Sequence, residues 1–110
     1  MKRVQLSELL DQGVSHNAAI RKKVMLQPGD VPHLTNFSQA TFAPGQVAPA
    51  HAHSDMHEVF LVSEGTGTMT VNGVDQLLTP GVCILVAPGD VHEVKNIGEN
   101  PLILTYFGII

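Results

Sequence analysis

Two histidines one residue apart, His51 and His53, are the most chemically suggestive feature of this chain. On a β-strand, side chains at i and i+2 share a face and stand roughly 6.5–7 Å apart along the chain, so both rings can turn toward one ion. Glu58 follows His53 at an odd interval, which in an unbroken strand would place it on the opposite face. The intervening Ser54-Asp55-Met56-His57 is polar and turn-prone and is expected to break the strand. Glu58 then begins the next strand facing inward, with Phe60 and Val62 on its side and His57 turned away or at the rim. Imidazoles beside one carboxylate combine borderline-soft nitrogen with a hard anionic oxygen. That mixture suits Mn, Fe, Co, Ni, Cu or Zn, and not Ca or Mg, which want mostly oxygen. Of the other histidines, His16 and His33 have no partner at useful spacing and are read as non-ligands.

These side chains need a frame, and from about residue 20 onward the signals are those of β-structure. Short apolar and β-branched runs cover 20–26, 34–43, 46–51, 58–63, 66–72, 75–79, 82–87, 91–96 and 101–108. Turn residues separate them: Pro28-Gly29-Asp30, Pro44-Gly45, Glu64-Gly65, Asn72-Gly73, Pro80-Gly81, Pro88-Gly89-Asp90 and Asn100-Pro101. Many short strands with no long helical pattern between them predict an all-β sandwich or barrel and argue against a parallel α/β sheet. Asn72-Gly73 is a strong hairpin signal, because both residues tolerate the positive φ that such a turn requires. Residues 1–19 are expected to form an N-terminal extension or arm ahead of a barrel domain over 20–110. A short helical turn over 4–12, carrying Leu6, Leu9 and Leu10, would end at Gly13.

The same residues resemble the two signature motifs of the cupin superfamily. Gly45, five residues, His51-Ala52-His53, four residues, Glu58, six residues and Gly65 match every fixed position of the first. Gly81, five residues, Ala87-Pro88-Gly89, two residues, His92, three residues and Asn96 match the second, except that Ala87 stands where proline is usual. The chain is similar to small single-domain "cupin 2 conserved barrel" proteins. The resemblance implies an antiparallel double-stranded β-helix, or jelly-roll barrel. It also implies one divalent transition metal (Mn, Fe, Zn, Ni or Co) on His51, His53, Glu58 and His92. His92, after the Pro-Gly-Asp turn, is expected to face the histidine pair from across the lumen. One carboxylate would leave the centre with a net charge near +1, and a six-coordinate ion would keep up to two positions open for water or substrate. Sites of this kind in the family resemble those of dioxygenases and decarboxylases. The expected function is therefore a metalloenzyme acting on a small organic molecule. A non-catalytic barrel that senses or stores a small ligand or metal is the second reading, and a metal-free sugar-nucleotide isomerase or epimerase the third. No catalytic residue beyond the metal ligands is named by the pattern. Tyr106 is read as a strand aromatic at a barrel end, with reach into the pocket as the alternative.

Size and charge bound the rest. At 110 residues the chain fits one domain with a modest core. Its formal net charge of −4 offers no electrostatic footprint for nucleic acid, and Arg21-Lys22-Lys23 is read as a solvated strand face or edge. Cys83 is the only cysteine, so no internal disulfide forms, and its apolar surroundings suggest a small buried hydrophobe. No apolar run approaches the roughly 20 residues of a membrane span. The N-terminus lacks the pattern of a secretory leader, and the expected location is the cytoplasm. In Val59-Phe60-Leu61-Val62 both faces are apolar, which predicts a homodimer that covers Val59 and Leu61.

Overall fold

The computed structural model describes all 110 residues. A 3₁₀ turn at Leu6–Glu8 precedes ten strands: β1 Gln12–Val14, β2 Asn17–Leu26, β3 Leu34–Phe42, β4 Val47–His51, β5 His57–Glu64, β6 Gly67–Val71, β7 Val74–Leu78, β8 Cys83–Val86, β9 His92–Asn96 and β10 Leu102–Ile109. They form two antiparallel sheets, β1-β2-β3-β10-β5-β8 and β4-β9-β6-β7, facing one another as a jelly roll. Alternation sets which side chains meet between them. Along β10, Leu102, Leu104, Tyr106 and Gly108 are buried, while Ile103, Thr105 and Phe107 are only half-buried on the other face. Ile20, Met69, Leu78, Leu102 and Leu104 are almost completely enclosed and form the heart of the core.

The turn chemistry read from the sequence holds where it can be checked. Asn72 and Gly73 carry φ of 48° and 80° and close the β6–β7 hairpin, with Val71 opposite Val74. Gly65 has φ 88°, and a side chain there would run into the backbone of Pro101 and Leu102, so two connections cross at contact distance only because that residue is glycine.

Three expectations are revised. Residues 12–19 do not stand apart from the sheet: β1 and the start of β2 form a hairpin on its edge. Neither segment has the apolar alternation that marks a strand, so pairing with the neighbouring strand supplies the structure. Gly13 does not end a helix but lies within β1, where a Cβ would approach Ala18 Cα to 2.9 Å, so the missing side chain is what lets the two strands close. Cys83 is exposed, because the inward positions of β8 are Ile84 and Val86 and its outward positions are Cys83 and Leu85.

Candidate metal centre

His51 ends β4 and His53 lies two residues beyond it, in the short link to β5. Glu58 and His92 occupy the inward positions at the starts of β5 and β9 and are buried, 6% and 1% exposed. A break is present, but it covers Ala52–Met56 and not Ser54–His57: β5 already begins at His57, which is exposed and away from the cluster, while Glu58, Phe60 and Val62 face inward. His92, however, does not face the pair from across the barrel. It sits directly opposite His51 on the neighbouring strand of the same sheet, and Glu58 is the residue that comes from the opposing sheet. The four side chains converge, each offering one donor atom, with all four atoms within 4.8 Å of one another.

The loop over Ala87–Asp90 ties this cluster together. The Gly89 N–H donates to the His53 carbonyl at 2.8 Å. The Asp90 carboxylate accepts from the Ala87 N–H at 2.9 Å and from the Asn72 amide at 2.9 Å, and Asn72 in turn accepts from the Val91 N–H. These bonds hold the Asp90 carboxyl below its ordinary pKa. Asn96, a fixed residue of the second motif, is no ligand. It is buried and donates to the Phe42 and Asn100 carbonyls, both at 2.9 Å, fastening β9 to the opposite sheet.

Each ring orientation has a cause. His51 Nδ1 lies 2.8 Å from the Pro49 carbonyl and His92 Nδ1 lies 3.0 Å from the Asp90 carbonyl. A carbonyl only accepts, so each Nδ1 carries the proton and each Nε2 lone pair is free for an ion. His53 Nε2 and His92 Nε2 stand 3.0 and 3.3 Å from Glu58 Oε1. Two donors about 2.1 Å from a common ion and at right angles to each other would be about 3 Å apart. Glu58 Oε1 and His92 Nε2 are nonetheless buried with no well-formed hydrogen bond. Orphaned polar atoms of this kind are expensive inside a protein, and an ion between them satisfies both. The residues present therefore fit a divalent metal. Burial disfavours the imidazolium of His51, and the facing histidines add to the effect, so its pKa is lowered despite the Pro49 carbonyl. Burial acts against protonation of His92 too, but Glu58 and Asp90 outweigh it and raise the pKa.

A cavity of about 150 Å³ opens beside the cluster, walled by Phe60, Val94, Leu104 and Tyr106 among others. Tyr106 does reach this pocket. It is buried, stacks on Phe60 with centroids 5.5 Å apart, and has its pKa pushed up to about 12 by burial and then by the charge of Glu58, with Ser38 opposing. His16, read from the sequence as partnerless, also belongs here. At the β1–β2 turn it stacks on His51 at 3.8 Å between centroids and an interplanar angle of 22°. No spacing rule could have found it, because the hairpin that carries it has no strand pattern of its own.

An antiparallel jelly roll with an inward cluster of three histidines and a glutamate that could hold a metal ion, beside a small cavity, defines a barrel protein with a candidate metal site. The chain belongs to the cupin family: the model of the cupin domain matches residues 38–108. In solved structures it is similar to a predicted oxalate decarboxylase from Thermotoga maritima, at 20% identity and a TM-score of 0.92, covering 99% of both chains. It is also similar to an RmlC-like cupin from Shewanella frigidimarina, at 21% identity and a TM-score of 0.79, covering 96% of this chain and 87% of that one. Among curated sequences it is 33% identical over 67 residues to a mannose-1-phosphate guanylyltransferase from Klebsiella pneumoniae, covering 61% of this chain. It spans only 14% of that enzyme, and 21% and 54% of two other curated relatives. No helix is long and apolar enough to cross a membrane.

Proposed function

We propose that this cupin is a metalloenzyme of the dioxygenase or decarboxylase type. His51, His53, Glu58 and His92 hold a divalent transition metal, and a small organic substrate occupies the adjoining cavity. The observation that carries the reading is the buried, unpaired couple of Glu58 Oε1 and His92 Nε2. When bound, such a metal polarises substrate oxygens as a Lewis acid, and with Fe or Mn it can also engage O₂. The protein's own part is positioning. The Pro49 and Asp90 carbonyls fix the tautomers of His51 and His92. Phe60, Val94 and Leu104 give the cavity an apolar wall. Tyr106, kept neutral, offers a phenolic proton as a hydrogen-bond donor to a ligand in the cavity.

The complete His/Glu cluster argues against a metal-free isomerase. Elemental analysis of gently purified protein tests the metal, with one equivalent of a transition metal expected. Protein loaded with Mn, Fe, Co or Ni and screened against hydroxylated and dicarbonyl compounds tests the chemistry, with turnover expected. A ligand that raises Tm and is recovered unchanged, with no turnover under any metal, would reassign the protein as a non-catalytic binding barrel. We propose in addition that it works as a homodimer. Leu61 and Leu85 are 45% and 61% exposed on the outer face of the larger sheet, with Val59 and Cys83 beside them. Light scattering at micromolar concentration should report twice the mass of one chain.

A further inference from the structure

The run Arg21-Lys22-Lys23 does not behave as one solvated patch. Burial does not separate Lys22 from Lys23, both half-buried, but the register does: Lys22 and Val24 lie opposite the buried Ala40 and Ser38, on the same inward face as the wholly enclosed Ile20. Lys22 reaches the rim of the cavity that holds the His/Glu cluster, where it also borders two open surface clefts. Its two neighbours are engaged elsewhere: Arg21 pairs with Asp11 at 2.9 Å, and Lys23 donates to the Leu6 carbonyl at 3.3 Å. Lys22 is half-buried and makes no ion pair or hydrogen bond through its ammonium. A half-buried ammonium with no partner of its own, at the mouth of a cavity, is free to meet an anionic ligand there.

The cavity wall itself offers that ammonium no free anion. Glu58 is the only acid among the lining residues, and it is already committed to the cluster, while Lys22 is the only lysine or arginine there. A divalent ion, one glutamate and one ammonium leave the cavity with a formal surplus of positive charge. Its volume of about 150 Å³ equals roughly five waters in liquid. Ala40, Val94 and Leu104 in the wall suit a short carbon skeleton better than a fully oxygenated anion such as phosphate. We infer that Lys22 is a specificity residue that selects a small carboxylate, of a few carbon atoms, as the ligand of this cavity. This rests on the metal assignment proposed above.

Titration calorimetry on zinc-loaded protein tests it, with glycolate, its uncharged counterpart glycolamide, and inorganic phosphate as probes. Zinc is chosen because it has no redox chemistry of its own. Wild-type protein should bind glycolate at least tenfold more tightly than either other probe. Lys22→Met should lose most of that preference while binding glycolamide and zinc unchanged, and Lys22→Arg should keep part of it. An unchanged glycolate-to-glycolamide ratio in Lys22→Met, or tighter binding of phosphate than glycolate, overturns the role of Lys22 and leaves the metal reading standing. Failure of wild type and variant alike to take up zinc overturns the metal reading, and this inference with it.

Discussion

The site is made by two regions of different character. Its inner part comes from β4, β5 and β9, where strand starts, tight turns and carbonyl contacts hold four donor side chains in place. Its outer part comes from the β1–β2 hairpin, whose tip lays His16 over His51 and whose second strand turns Lys22 inward. The inner part is over-determined: His92 alone is fixed by its strand register with His51, by the Asp90 carbonyl and by near-complete burial. The hairpin belongs to the core through Ile20, but to the cluster it brings ring contacts from His16 and none of the four donors. Changes to the inner part should therefore abolish metal binding, and changes to the hairpin should only tune it.

The largest effect is expected from replacing His51 and His53 together with alanine. Two of four donors are lost, both from positions outside the main core, so stoichiometric metal should disappear while the far-ultraviolet circular dichroism stays that of the folded protein. A double variant that kept its metal at full occupancy would remove the inner region's claim to be the site. Next is Glu58→Gln, which keeps the shape and removes the only acid among the residues lining the cavity. Metal affinity, measured by chelator competition at pH 8, should fall on the order of a hundredfold. Stability should move the other way. A buried carboxylate oxygen without a hydrogen bond becomes a neutral amide, so the metal-free variant should melt no lower than metal-free wild type.

The same division governs what could be read from the sequence. The inner region was legible because its constraints are local. His51-Ala52-His53 announces two rings that can converge, though His53 lies past the end of β4 and not on a shared strand face; Pro88-Gly89-Asp90 announces a turn before His92, and Asn72-Gly73 a hairpin, each within a few residues. The direction from which His92 enters was not legible, because it depends on which strands become neighbours, and β4 and β9 are joined by no short turn. The hairpin was illegible for a further reason. Gln12-Gly13-Val14 and Asn17-Ala18-Ala19 have no apolar alternation, and their strand character comes from the edge they pair with. The inward turn of Lys22 is hidden in a run of three charges, and only the register with β3, which sets Lys22 opposite buried Ala40 and its neighbours opposite Thr41 and Gln39, separates them.

A smaller effect is expected at the junction of the two regions. His16→Ala removes a flat stack on His51 but no donor of the cluster. An aromatic contact of this kind is worth about 0.5–1.5 kcal/mol beyond its buried area, so metal affinity should fall roughly two- to tenfold. His16→Phe retains a ring that can stack and should restore most of it. If the phenylalanine variant were as weak as the alanine one, His16 would act through its nitrogen, and the hairpin would belong to the inner region after all.

The smallest perturbation concerns Tyr106, which needs no mutation and leaves metal binding at neutral pH untouched. It is the only tyrosine, and the chain has no tryptophan, so absorbance at 295 nm reads this residue alone. The phenol should ionise near pH 12 in the folded, metal-free protein and near 10 once unfolded. A folded-state pKa above the unfolded value means that the fold prefers the neutral phenol. That preference is fully present below pH 10 and is lost as pH rises from about 10 to about 12. Two units correspond to roughly 3 kcal/mol. Burial is the larger cause and the charge of Glu58 the next. Glu58→Gln should therefore lower the midpoint yet leave it above 10, with circular dichroism confirming the fold at each pH. A midpoint at 10 in folded wild type would mean that water reaches Tyr106 freely, against its burial between the two sheets at the edge of the inner region.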